Sequence, residues 1–180
     1  DLRAGTEDAR ATRGHLSMTL TRNGLDNHTS GLAYSTAERR IVLTSAQDVA
    51  RNAGGPGSDL DAAFGNGELK VSASRLSAAG FDTIKLSADD RMVVDSSLSL
   101  SADRSLQLFA SNIQVQGSSS ALLGAQHVAI GDAGLRRIDG GLVSVSAPTA
   151  VAASGQQSSL TVRASVIDVI GSVGLSGIRS

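Results

Sequence analysis

Seven copies of a short phrase, aliphatic-x-aliphatic-x followed in most copies by a small residue, recur at near-constant spacing from Leu69 onward. That regularity constrains the fold more than any other feature of the chain. The phrase appears as Leu69-Lys70-Val71-Ser72-Ala73, Ile84-Lys85-Leu86-Ser87-Ala88 and Leu98-Ser99-Leu100-Ser101-Ala102. It continues as Ile113-Gln114-Val115-Gln116-Gly117, Val128-Ala129-Ile130-Gly131-Asp132, Val143-Ser144-Val145-Ser146-Ala147 and Leu160-Thr161-Val162-Arg163-Ala164. The first positions are separated by 15, 14, 15, 15, 15 and 17 residues.

Each phrase alternates apolar with polar, the period of a strand that buries one face and wets the other. A weaker apolar pair lies between successive phrases: Met92 and Val94, Leu106 and Leu108, Leu122 with Leu123, Ile167 and Val169. Each unit of about fifteen residues therefore holds two short strands. So short a unit cannot close a core of its own, and its apolar side must be covered by copies above and below it. The fold class expected is all-β, a parallel β-solenoid. One coil could be one unit or two, roughly 15 or roughly 30 residues, and the longer is the better fit because the shorter encloses very little interior. Small residues ending the phrases, Ala73, Ala88, Ala102, Gly117 and Ala147, are expected at corners. Asp89-Asp90-Arg91 and Asp103-Arg104 follow two of those corners. They are expected to stack as exposed charges along one edge, worth only ~0–1 kcal/mol per pair but useful against sideways aggregation.

Composition agrees. Hydrophobic residues make up 41% of the 180, but aromatics only 2%, with one Tyr (Tyr34), three Phe (Phe64, Phe81, Phe109) and no Trp. Such a core is aliphatic, which suits a narrow stack. Sixteen basic and seventeen acidic residues give a net charge of -1, with no basic block to release counterions from nucleic acid or an anionic membrane. Without cysteine there is no disulfide and no thiolate metal site, a composition suited to crossing the periplasm unfolded. No apolar run is long enough to insert in a membrane. Asp1 to Gly5 lacks both an initiator Met and a signal-peptide core, so the expectation is a longer precursor with its export signal upstream.

The first third is looser. Leu16 to Leu20 and Ile41 to Ser45 read as further strands at irregular spacing. Asn23-Gly24 reads as a tight turn, Asn52 to Ser58 as a loop, and Asp59 to Phe64 as a short helical turn. The organisation expected is a loop-rich part over 1–66 and a regular solenoid over 67–180.

Gly80 to Asp89, Leu98 to Leu108 and Asn112 to Gly117 resemble the repeats of filamentous haemagglutinin-like proteins, very large adhesins of Gram-negative bacteria. The resemblance extends to Leu160-Thr161-Val162-Arg163-Ala164 and Ile167 to Gly171. It implies a right-handed parallel β-helix, exported through a partner outer-membrane transporter by two-partner secretion and displayed at the cell surface or released. It also implies a structural and adhesive role, extending and presenting surfaces to host or bacterial glycans or proteins. It carries no catalytic residue.

The residues themselves point to no enzyme, cofactor or metal. His15, His28 and His127 lie far apart with no carboxylate at ligand spacing and read as surface histidines. Serine is abundant on strand faces without a Gly-x-Ser-x-Gly elbow, and reads as a small outward residue. The alternative is a carbohydrate-active β-helix, a polysaccharide lyase or glycoside hydrolase, using acids among Asp82, Asp89, Asp90, Asp95 and Asp103. Most of these fall where turns need polar residues, and aromatic platforms for sugar rings are scarce. An ice-binding face would need Thr-x-Thr arrays that are absent. Asn27-His28-Thr29 matches a glycosylation sequon but reads as a surface turn, and Gly54-Gly55-Pro56-Gly57 lacks the Lys-Ser/Thr of a phosphate loop.

Overall fold

The computed structural model describes residues 14–20, 38–46, 67–132, 136–138, 141–143 and 158–178. The turn at Asn23, the loop at 52–58, the helical turn at 59–64, His28 and the sequon all lie outside them.

Six of the seven phrases, those at Leu69, Ile84, Leu98, Ile113, Val128 and Leu160, lie in strands, and so do the weaker pairs between them. In chain order these are β1 (His15–Leu20), β2 (Arg40–Thr44), β3 (Glu68–Ser72), helix α1 (Ala73–Ala78), β4 (Thr83–Ala88), β5 (Arg91–Val94) and β6 (Leu98–Ser101). Then come β7 (Ser105–Phe109), β8 (Asn112–Val115), β9 (Ser120–Gly124), β10 (His127–Gly131), β11 (Arg136–Ile138) and β12 (Gly141–Val143). The series ends with β13 (Ser159–Arg163), β14 (Val166–Ile170) and β15 (Gly174–Ser176). The protein is all-β in character: β11 and β12 form an antiparallel pair, and its other strands form three parallel sheets. The first runs β1-β4-β7-β10-β14, the second β15-β8-β5-β2-β3, and the third β13-β9-β6.

Phrases fifteen residues apart do not stack on one another. Thr83 pairs with Ser105 and Ser105 with His127, so the chain returns to the first sheet after 105 − 83 = 22 and 127 − 105 = 22 residues. It returns after 112 − 91 = 21 in the second sheet and 121 − 98 = 23 in the third. The interval at which the chain returns to a sheet is therefore neither of the two coil lengths expected. Successive phrases rotate through the sheets instead: Leu69 lies in the second, Ile84 in the first, Leu98 in the third, Ile113 in the second again.

Register turns the alternation into columns. Leu16, Ile84, Leu106, Val128 and Ile167 align in the first sheet, and Leu69, Ile41, Met92, Ile113 and Leu175 in the second. Ile84, Leu106, Val128, Ile41, Met92 and Ile113 are at most 1% exposed. Burial of each such side chain contributes about 1.5–3 kcal/mol, and the interstrand hydrogen bonds pair the backbone groups that the same step removes from water. Ile167 and Val169 continue the first sheet's columns on its last strand and are 50% and 68% exposed.

Small residues do sit at corners. Ala88 and Ala110 are fully buried and Ala102 nearly so, while Gly117 turns the chain at φ 65°. Ala73 is different, because it begins α1. Ser72 caps that helix by accepting from the Arg75 N–H, and Ala73 and Leu76, one turn apart, are its buried face. The helix packs against β6, the edge of the third sheet, and Ser77 Oγ accepts the Ser101 N–H at 2.9 Å. A six-residue helix thus stands where a strand would leave that edge open.

The charged edge is also corrected. Asp89 and Asp90 occupy the corner between the first and second sheets and are 1% and 5% exposed, whereas Asp103 and Arg104 are exposed at the corner between the third and first. Asp90 Oδ2 accepts the Arg39 N–H at 2.7 Å, and Ser111 Oγ donates to the Asp89 carbonyl at 3.0 Å. These acids lie within a turn and do not solubilise a rim. The phrase at Val143 does not join the stack either. Val143 ends β12, antiparallel to β11, and 144–147 lie outside the described residues. After β10 the chain leaves the second sheet out, so that β15 pairs directly with β8.

Gly67 admits no side chain. Its φ is +65°, and a Cβ there would stand 2.1 Å from the Glu38 carbonyl oxygen. Gly67→Ala is expected to lower stability by more than about 1 kcal/mol, the penalty of the left-handed conformation alone, since the backbone of 38 must also move. Urea unfolding followed by circular dichroism measures it, and an unchanged midpoint would refute the close approach.

Candidate functional site

The outward residues of the first sheet form rows as regular as its inner columns. His15, Thr83, Ser105, His127 and Val166 make one row, and Ser17, Lys85, Gln107, Ala129 and Asp168 the next. Where β7, β10 and β14 lie side by side, these rows hold a connected polar set. His127 Nε2 is 2.8 Å from Asp168 Oδ2, His127 Nδ1 is 3.1 Å from Ser105 Oγ, and Gln107 Nε2 donates to Ser105 Oγ at 3.3 Å.

The register explains how they meet. Asp168 is opposite Ala129, two residues along from His127. The alanine methyl is too short to stand between the imidazole and its diagonal partner, a separation that long side chains span in a sheet. A carboxylate only accepts, so the neutral imidazole carries its proton on Nε2 toward Asp168. Nδ1 is then the acceptor, and the Ser105 hydroxyl donates to it. The His127 and Asp168 side chains are 35% and 53% exposed, so the pair contributes at most ~1 kcal/mol to stability.

The set opens onto a groove of about 610 Å³ at the corner between the third and first sheets. Arg104 and Gln126 line one side, Thr83 and Ser165 lie along it, and Val166 is an apolar wall, 53% exposed. The groove runs across successive layers, since the His127 N–H donates to the Arg104 carbonyl and the Val166 N–H to that of Gln126.

The acids weighed from sequence are dispersed over the corners. Asp82 and Asp103 lie at the groove corner, in successive layers joined by the Asp103 N–H to the Phe81 carbonyl. Asp89 and Asp90 are buried at a different corner, out of reach of a polymeric substrate. Asp95 lies at the third corner and accepts from Ser96 Oγ at 2.8 Å. Among the described residues no group of three or more histidine and acidic side chains could hold a metal ion, and no helix is long and apolar enough to cross a membrane.

The isolation of the histidines does not hold for His127, which meets a carboxylate 41 residues away. His15 is an exposed residue of the same row, two strands beyond Ser105. The sequence held a signal for the set, the 22-residue separation of Ser105 and His127, but a fifteen-residue frame puts those two residues in unrelated places.

The chain matches no family model, no curated protein and no solved structure.

Proposed function

We propose that this chain is a stretch of right-handed parallel β-solenoid, a structural and adhesive segment of a large secreted bacterial surface protein. The observation that supports it most is the persistence of the aliphatic columns through up to five strands of a parallel sheet. Each layer adds length and outward surface while reusing the same interior, which is the economy of a repeat scaffold. The resemblance to filamentous haemagglutinin-like repeats supplies the rest of the reading. The parent passes through an outer-membrane transporter to the cell surface, and the outward faces meet host or bacterial glycans or proteins.

The carbohydrate-active alternative loses two of its five candidate acids to burial. A glycan array separates the readings when the same protein is also assayed for release of reducing ends and unsaturated uronides. Retention of a glycan without either product is expected. Release of either would replace the structural reading with the enzymatic one, and absence of retention on every glycan and on immobilised host cells would remove the adhesive role.

A further inference from the structure

We propose that Ser105, His127 and Asp168 form a hydrolytic site on the outer face of the first sheet, acting on short-chain O-acyl esters of polar alcohols. The inference goes beyond the scaffold role and does not depend on it. It rests on the two contacts of the His127 ring. Asp168 Oδ2 at 2.8 Å fixes the tautomer, and Nδ1 at 3.1 Å from Ser105 Oγ is left as the base. A hydroxyl, a base and an orienting carboxylate in hydrogen-bonded sequence are the arrangement that activates a serine nucleophile. The ring nitrogens exchange the roles they take in the serine-hydrolase triad, which leaves the proton path intact because either nitrogen of a neutral imidazole can serve as the base.

The step balances with water as the only co-reactant. Ser105 Oγ bonds to the acyl carbon as its proton passes to Nδ1. The Gln107 amide N–H, 3.3 Å from Oγ, is placed to donate to the oxyanion that forms beside it. The acyl carbon to alcohol oxygen bond then breaks, and the leaving alkoxide takes the proton from Nδ1. A water that gives its proton to the same nitrogen adds to the acyl group; the acyl carbon to Oγ bond then breaks, the proton returns from Nδ1 to Ser105 Oγ, and the carboxylic acid is released.

The groove selects the substrate class. It is open, and Thr83, Arg104, Gln126 and Ser165 present hydroxyl, guanidinium and amide groups to an incoming alcohol. Val166 is the single apolar side chain among the described residues that line it, enough for an acetyl or butyryl group and too little for a long acyl chain.

The test uses the full 180-residue chain with p-nitrophenyl acetate and a fluorophosphonate probe, the adduct being located by mass spectrometry. Ser105 is expected to be labelled and Ser105→Ala to abolish both labelling and hydrolysis. His127→Gln should slow both by about 100-fold or more, and Asp168→Asn and Gln107→Leu by at least about tenfold. Ser87→Ala, outward on the same sheet and away from the groove, should leave both rates unchanged. Absence of an adduct on Ser105 in the folded protein would overturn the proposal, as would labelling of His127→Gln at the wild-type rate. All five substituted side chains lie on the outer face, so melting curves are expected to coincide. Should one variant fail to fold, the remaining four decide the question.

Discussion

A Leu100→Asp chain is expected to lose its cooperative unfolding transition, while Ser99→Asp, one residue away, keeps a midpoint close to that of the parent. Leu100 is fully buried, in a column with Leu123 below Val162. Ser99 points the other way from the same strand and is exposed. Truncating a buried leucine to alanine removes about 2–5 kcal/mol. A carboxylate adds the cost of placing a charge among aliphatic side chains with no partner, several kcal/mol more. That sum is comparable to a total stability of about 5–15 kcal/mol, enough to abolish a cooperative transition. The exposed substitution should stay within about 0.5 kcal/mol. Urea titration followed by circular dichroism reads both, and equal midpoints for the two variants would contradict the column.

The same residues show what the sequence could convey. Alternation at Ile84-Lys85-Leu86 or Leu98-Ser99-Leu100 reports which side chains face inward, because that depends only on the two-residue period of one strand. It does not report which strand lies beside which. A strand with its corner takes about a third of the 22-residue return to the same sheet, near seven residues, and two of them make about fifteen. The strong phrases recur at every second strand, so their spacing is two-thirds of that return. The weaker strands, with Met92 and Val94 or Leu106 and Leu108, complete it. Helix α1 was hidden for another reason. Six residues hold one apolar pair at helical spacing, Ala73 and Leu76, too little to outweigh the strand phrase that ends in Ala73. The polar set on β7, β10 and β14 depends wholly on register. Asp168 is 41 residues from His127, and only the parallel pairing of β10 with β14 brings them within hydrogen-bonding distance.

Deleting one 22-residue pairing interval should therefore be far less harmful than deleting the apparent repeat. Removing 105–126 joins Arg104 to His127 and takes out β7, β8 and β9, one strand from each sheet. Because Thr83 and His127 both pair with Ser105, β10 can take the place of β7 on β4, with Ile84 against Val128 and Leu86 against Ile130. β13 then falls to β6, with Leu98 against Leu160, and β15 falls to β5. Every inward column shortens by one member and stays aligned. Removing 98–112 instead preserves the aliphatic phrase across the junction but moves each later strand to a different sheet. The corner at Ala110-Ser111, whose hydroxyl holds the Asp89 carbonyl, is lost. Asn112, which accepts from Ser176 Oγ at 2.9 Å, is lost with it. The corners are not interchangeable, because buried polar groups left without those partners each cost about 1–3 kcal/mol. The 22-residue deletion is expected to melt cooperatively with strand content near that of the parent. The 15-residue deletion is expected to give a broad transition and rapid proteolysis. If the shorter deletion proved the more stable, the parallel register that defines both the columns and the Ser105–His127–Asp168 set would be wrong.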